Sequence, residues 1–81
     1  MTFQTEANTV DVRGQSTDEA LSQVEAGLIS VAANSALFVV HGVGTGKLRS
    51  EIHRFLQRSL QVSKFSLEKD SGGGCTVVYL N

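Results

Sequence analysis

Between Thr9 and Arg13 apolar and polar residues alternate, with Val10 and Val12 on one side and Thr9, Asp11 and Arg13 on the other, until Gly14 breaks the run. A period of two predicts a strand with one buried face. Ser16 and Glu19 have capping-box spacing, and Ala20, Leu21, Val24, Leu28 and Val31 then recur at helical intervals, which predicts a first helix from about Thr17 to Ala33. Asn34 and Ser35 turn the chain into Ala36 to Val40, a continuous apolar run of strand length and the pattern of a central strand. A second helix is predicted from near Gly46 to about Leu60, with Leu48, Ile52, Phe55 and Leu56 on its inner face. Phe65 and Leu67 indicate a third strand, Asp70 to Gly74 a flexible turn, and Cys75 to Leu80 a last strand.

The order is therefore β-α-β-α-β-β. Right-handed crossovers make the first two strands parallel and lay both helices on one face of a mixed four-stranded sheet, while the short turn makes the last two strands antiparallel. The expected class is α/β, an α+β two-layer sandwich. Ligands of such sheets gather beyond the carboxyl ends of the parallel strands. Asp11 and Arg13 end the first strand and His41 ends the second, so one rim is expected to bring them together with the segment that follows His41.

That segment, His41 to Arg49, reads His-Gly-Val-Gly-Thr-Gly-Lys-Leu-Arg. Glycines let the main chain turn sharply and approach a ligand, and the first turn of the following helix presents N–H groups without internal partners at the positive end of the helix dipole. The expected ligand is a phosphate, bound by Gly42, Gly44, Thr45, Gly46, Lys47 and Arg49. It is not a Walker A loop, which would need glycine where His41 stands and a hydroxyl where Leu48 stands, and the two-by-two glycine spacing misses the dinucleotide fingerprint.

The formal net charge of −1 alone would argue against nucleic acid, but the charges are segregated. Up to residue 40 there are Glu6, Asp11, Asp18, Glu19 and Glu25 against Arg13; from His41 to Lys64 there are Lys47, Arg49, Arg54, Arg58 and Lys64 against Glu51. A turn of ~100° per residue gathers Lys47, Arg54 and Arg58 on one outward stripe of the second helix. Taken alone, Arg54 and Arg58 also fit an ordinary solvated helix face.

With 81 residues the chain holds one small core, placed at 9–81 behind a flexible segment 1–8. The lone cysteine, Cys75, reads as a small buried strand residue, and no stretch resembles a signal peptide or membrane span, so the expected compartment is the cytoplasm, with no membrane partner. His53 and Cys75 have no zinc-ligand spacing with each other or with His41, and no structural metal is assigned.

Three motifs together, Thr-Val-Asp-Val-Arg-Gly at 9–14, His-Gly-Val-Gly-Thr-Gly-Lys-Leu-Arg at 41–49 and Gly-Gly-Cys-Thr-Val-Val at 73–78, resemble in order and separation the signatures of the small MutS-related (Smr) domain. The resemblance covers nearly the whole chain from Asn8 to Leu80. It implies a fold like the C-terminal domain of bacterial initiation factor three, nucleic-acid binding, and the endonuclease activity of many members. Arginine at position 13 resembles the Smr domain at the carboxyl terminus of the second bacterial subfamily of MutS ATPases, and the resemblance then implies N-terminal ATPase domains as partners and a place in DNA recombination and repair. Other branches have histidine where Arg13 stands, as part of their proposed cleavage site. A guanidinium can hold a phosphate or stabilise a pentavalent transition state but cannot shuttle protons near neutral pH.

Phosphodiester chemistry needs a group to activate water, groups to hold the phosphoryl oxygens and a proton source for the leaving oxygen. Asp11 can orient water or bind a cation, His41 can serve as general acid or base, and Arg13, Lys47 and the loop N–H groups can bind oxygens. Asp11, Arg13 and His41 are thus the candidate catalytic residues. Against this, Asp11 can simply pair with Arg13, and His41 can simply hydrogen-bond its strand end. One carboxylate is a poor metal cage, so the expectation is either a single weakly held divalent cation, magnesium or manganese, or a reaction without metal. Two functions follow: an endonuclease that nicks DNA (branched DNA included) or, less favoured, RNA; or a non-catalytic module that binds nucleic acid or the ribosome.

Overall fold

The computed structural model describes residues 4–5, 8–33 and 35–81. Its elements are β1 (Thr9–Asp11), α1 (Thr17–Ser30), β2 (Ala36–Val40), α2 (Lys47–Gln57), β3 (Val62–Leu67) and β4 (Cys75–Leu80), with a 3₁₀ turn at Lys69–Ser71. The sheet order is β1-β2-β4-β3. β1 runs parallel to β2, with Asp11 opposite Val40, whereas β4 is antiparallel to both β2 and β3. This is the mixed four-stranded sheet that the periodicity predicts. The expected flexible segment 1–8 falls mostly outside the described residues, as does Asn34.

α1 starts where its side chains allow it to. The Ser16 hydroxyl accepts from the Glu19 N–H, and the Glu19 carboxylate accepts from the Ser16 N–H, which also holds Glu19 below the usual carboxylate range. Ala20, Val24 and Leu28 form its buried stripe. Gly27 lets this helix lie close to the sheet, because a Cβ there would stand 2.9 Å from Val10 Cγ2 and 3.2 Å from both Leu37 methyls. The helix stops at Ser30 rather than running to Ala33: Val31 is extended, its N–H still bonded to the Gly27 carbonyl, and its side chain packs on the core.

On α2, Ile52 and Leu56 are fully buried, with Leu48 and Phe55 packed beside them. They meet Leu37 and Val39 of β2 and Val78 and Leu80 of β4 in the same cluster as the α1 stripe, so both helices cover one face. Burying each such aliphatic side chain contributes about 1.5–3 kcal/mol. The opposite face carries a second apolar cluster of Ala36, Phe38, Cys75 and Val77, which explains why β2 is a continuous apolar run rather than an alternating one. The second helix ends at Gln57, not near Leu60, whose side chain is exposed.

Candidate functional site

β1 and β2 are parallel, so their carboxyl ends deliver Asp11, Arg13 and His41 to one rim. The pairing continues one residue past β1, from the Val12 N–H to the Val40 carbonyl at 2.9 Å, and buries Val12 completely. That anchor fixes the direction in which Arg13 leaves the sheet. Arg13 then folds back on Asp11, its Nη2 2.7 Å from Oδ2 and its Nε 3.0 Å from Oδ1, while its main-chain N–H donates to Oδ1 at 3.1 Å. These bonds from Arg13 hold the Asp11 carboxyl below the usual range and push the guanidinium higher still. The stem of Arg13 also borders the glycine loop, since a Cβ on Gly42 would stand 3.4 Å from Arg13 Cγ.

The loop itself is tied down at its base and open at its tip. The N–H groups of His41 and Gly42 both donate to the Gly74 carbonyl at 3.0 Å, which joins the loop to the turn before β4. Gly42's N–H is therefore engaged inside the fold, contrary to the expectation that it faces the anion. Beyond it, Val43, Gly44, Thr45 and Gly46 donate to no acceptor among the described residues, nor do Leu48 and Arg49 in the first turn of α2. Gly46 is the N-cap with φ +83° and has no side chain to cap the helix; only the Lys47 N–H is shared with the Thr45 hydroxyl, at 3.3 Å. Residues 41–49 enclose a hollow of about 170 Å³. A roomier hollow of about 400 Å³ lies along β1 and α1, but it has no cationic lining and does not suit a phosphate.

Cations flank the loop. Arg49 reaches across the start of its helix, so that a Cβ on Gly46 would stand 2.8 Å from its Nη2 and one on Gly73 would stand 4.0 Å from its Nη1. Among the described residues the ion pair is Arg13 with Asp11, and Lys47, Arg49, Arg54 and Arg58 have no carboxylate within reach. Lys47, Arg54 and Arg58 are exposed, as the outward stripe requires.

His41 arrives at the rim but turns inward. Its ring is only 6% exposed, its Nδ1 is 2.8 Å from the Gly42 carbonyl oxygen and its Nε2 is 2.8 Å from the Thr76 hydroxyl. In this conformation neither nitrogen is left for a ligand, which departs from the expected general acid or base. His53 of α2 meets the same hydroxyl at 2.7 Å, with its ring 4.8 Å from that of Phe65. Burial first, then the nearby His41 and Arg49, lower the His53 pKa. Neither His53 nor Thr76 stands out as a site residue in the sequence; the available signal was a polar residue, Thr76, in the alternation that points Val78 and Leu80 at the helices. Among the described residues no three His, Cys, Asp or Glu side chains come together as a metal site, and no helix is long and apolar enough to cross a membrane.

The Smr domain family model matches residues 10–81. The chain belongs to the Smr family. This Smr domain is 37% identical over 78 residues to the endonuclease MutS2 of a Synechocystis strain, a match that covers 94% of the chain and 10% of the relative. It is 45% identical over 75 residues to the endonuclease MutS2 of Pelotomaculum thermopropionicum, covering 88% and 10%. Its fold matches the crystal structure of the Smr domain of Thermus thermophilus MutS2 with a TM-score of 0.81 and 34% identity, over 91% of this chain and 98% of that one. The chain thus spans about a tenth of the length of the curated relatives it matches. Asp11, Arg13 and the glycine loop all lie within the matched region.

Proposed function

We propose that this Smr domain binds the sugar-phosphate backbone at the glycine loop and nicks it. The observation that carries the reading is the set of N–H groups of Val43, Gly44, Thr45, Gly46, Leu48 and Arg49, which have no acceptor among the described residues, flanked by Arg13, Lys47 and Arg49. A helix N-terminus with no side-chain cap favours an anion there, and a phosphodiester supplies one. The loop N–H groups and Arg13 hold the non-bridging oxygens and stabilise the extra charge of the pentavalent transition state. Asp11, held in place by Arg13, orients the attacking water, and any magnesium or manganese it shares with the phosphate is weakly held. His41 contributes from inside the loop. Arg54 and Arg58 extend the contact along neighbouring phosphates. The relatives' name and the match of the chain to a tenth of their length support a role as one domain of a MutS-type endonuclease. The substrate of this reading is DNA, branched DNA included, and its setting is recombination and repair.

One observation favours a second reading. Both Asp11 oxygens are taken up by Arg13, which leaves the carboxylate poorly placed to activate water and fits a module that only grips nucleic acid, free or in the ribosome. A nicking assay on supercoiled plasmid and on RNA, with and without chelator and beside Asp11→Ala, separates the two. Nicking that Asp11→Ala abolishes supports the nuclease; binding without nicking on any substrate supports the module.

A further inference from the structure

The hydrogen bonds behind the glycine loop form a chain whose direction is set at one end. A carbonyl oxygen can only accept, so His41 Nδ1, 2.8 Å from the Gly42 oxygen, carries a hydrogen. In the neutral ring Nε2 is then bare and must accept, and the partner at 2.8 Å is the Thr76 hydroxyl. Thr76 has one hydrogen to give. Having given it to His41, its oxygen accepts from the neighbour at 2.7 Å, which makes His53 the Nε2–H tautomer. Thr76 is 0% exposed, so bulk solvent does not reach its hydroxyl.

The near end of this chain reaches the ligand face. In a trans peptide the carbonyl and the following N–H lie in one plane and point in opposite directions. His41 holds the Gly42 carbonyl on the inner side, so the Val43 N–H is turned outward, where the Val43 residue is 57% exposed. Gly42 adopts φ +79° to make that turn. Without the His41 donor the Gly42–Val43 peptide would be free to flip and present a carbonyl, which repels an anion.

We propose that His53, acting through the Thr76 hydroxyl, is a positioning residue for the loop: by donating to that hydroxyl it turns the Thr76 hydrogen towards His41 and reinforces the Nδ1–H tautomer that the Gly42 carbonyl selects, and His41 in turn aims the Val43 N–H at the bound phosphate. This rests on the reading of the loop as a phosphate site, but the tautomers are observable without any ligand. His53 is itself held by Phe65 on one side and by its place on α2 beside Ile52.

The test combines long-range ¹H–¹⁵N spectra of the imidazole rings with titration of a short single-stranded oligodeoxynucleotide. In the wild-type chain His41 is expected as Nδ1–H, the form a free histidine disfavours in water, and His53 as Nε2–H. Thr76→Val keeps the shape and removes the hydroxyl; it is expected to mix the His41 tautomers and weaken oligonucleotide binding about tenfold, the scale of one hydrogen bond. His53→Phe, which keeps a ring against Phe65, should weaken binding in the same direction. Thr76→Ser restores the hydroxyl and should recover both the tautomer pattern and the affinity. A wild-type His41 in the Nε2–H form overturns the proposal. So does a Thr76→Val chain with wild-type tautomers and affinity, and so does a loss that Thr76→Ser fails to restore, which would assign Thr76 to packing alone. If the wild-type chain binds no oligonucleotide, the phosphate reading falls, and the ring spectra alone then decide the chain of bonds.

Discussion

Arg13 lies back across Asp11, two residues earlier, with Nη2 2.7 Å from one carboxylate oxygen and Nε 3.0 Å from the other. A bound phosphate would compete with Asp11 for the same guanidinium, so the two members of the pair affect binding with opposite sign. Asp11→Asn removes a negative charge from the rim and should leave nucleic-acid affinity unchanged or slightly higher, while nicking falls by ~100-fold or more if the carboxylate orients water. Arg13→Ala should weaken binding and nicking together. Both side chains are about half exposed, so the folded state should be nearly indifferent to either change. Filter binding and plasmid nicking on the same preparations check the pattern, and weaker binding by Asp11→Asn would contradict it.

The loop makes a separate expectation. Gly44 has φ +38° and open space around its missing Cβ, so Gly44→Val adds backbone strain of about 1–2 kcal/mol with no clash at Cβ. The domain should stay folded and lose phosphate binding. In the wild-type chain the amide signals of Val43 to Arg49 should shift first on titration with phosphate, and that of Gly42 should lag because it donates to Gly74. Shifts centred instead on Ser71 to Gly74 would place the anion elsewhere.

Along α2, Arg54 and Arg58 are exposed and have no carboxylate partner. Because the opposite side of the helix is committed to the core, these cations reach phosphates but have no route into a groove. Neutralising both should weaken all sequences about equally and lower the log-affinity against log-salt slope by ~1.4 to 1.8, the loss of two phosphate contacts on single or double strands. An unchanged slope would mean that this face is only solvated.

Stability should also depend on pH through His53. Burial, the neighbouring His41 and Arg49 lower its pKa in the fold from the usual 6.5, so the native ring resists protonation more than the unfolded one. As pH falls from 6.5 towards that lowered value, the unfolded chain takes up a proton that the folded chain refuses, and stability declines through this window; above 6.5 the contribution is fully present and flat. Urea midpoints of wild type and His53→Phe at about pH 8 and about pH 5 isolate the effect, the variant losing less on acidification.

The element order was legible because β1 and the helices each keep one period, β2 is an unbroken apolar run, and glycine or small polar residues separate most elements. Val10 and Val12, the Ala20–Val24–Leu28 stripe and the Ile52–Leu56 pair carry that signal. The rim followed from topology, since parallel β1 and β2 must end on the same side. Element ends were less legible: α1 yields at Val31, which turns extended and packs its side chain on the core, a tertiary contact no local pattern contains. The least legible feature was the contact of His41, Thr76 and His53. It joins residues 35 and 23 positions apart, and only the sheet register and the seating of α2 bring them together. The sequence offers Arg49 as a phosphate ligand, but its place over Gly46 and Gly73 depends on a turn far along the chain.

The Gly74 carbonyl accepts from both His41 and Gly42, and the Gly74 N–H is itself bonded to Ser71. Opening the loop therefore exposes the turn before β4, and opening the turn unlatches the loop. Two segments distant in sequence should behave as one cooperative unit in native-state hydrogen exchange, with the amides of His41, Gly42 and Gly74 exchanging at a common rate. Saturating the loop with an oligonucleotide should then slow exchange at the Gly74 amide, even if the ligand never touches it.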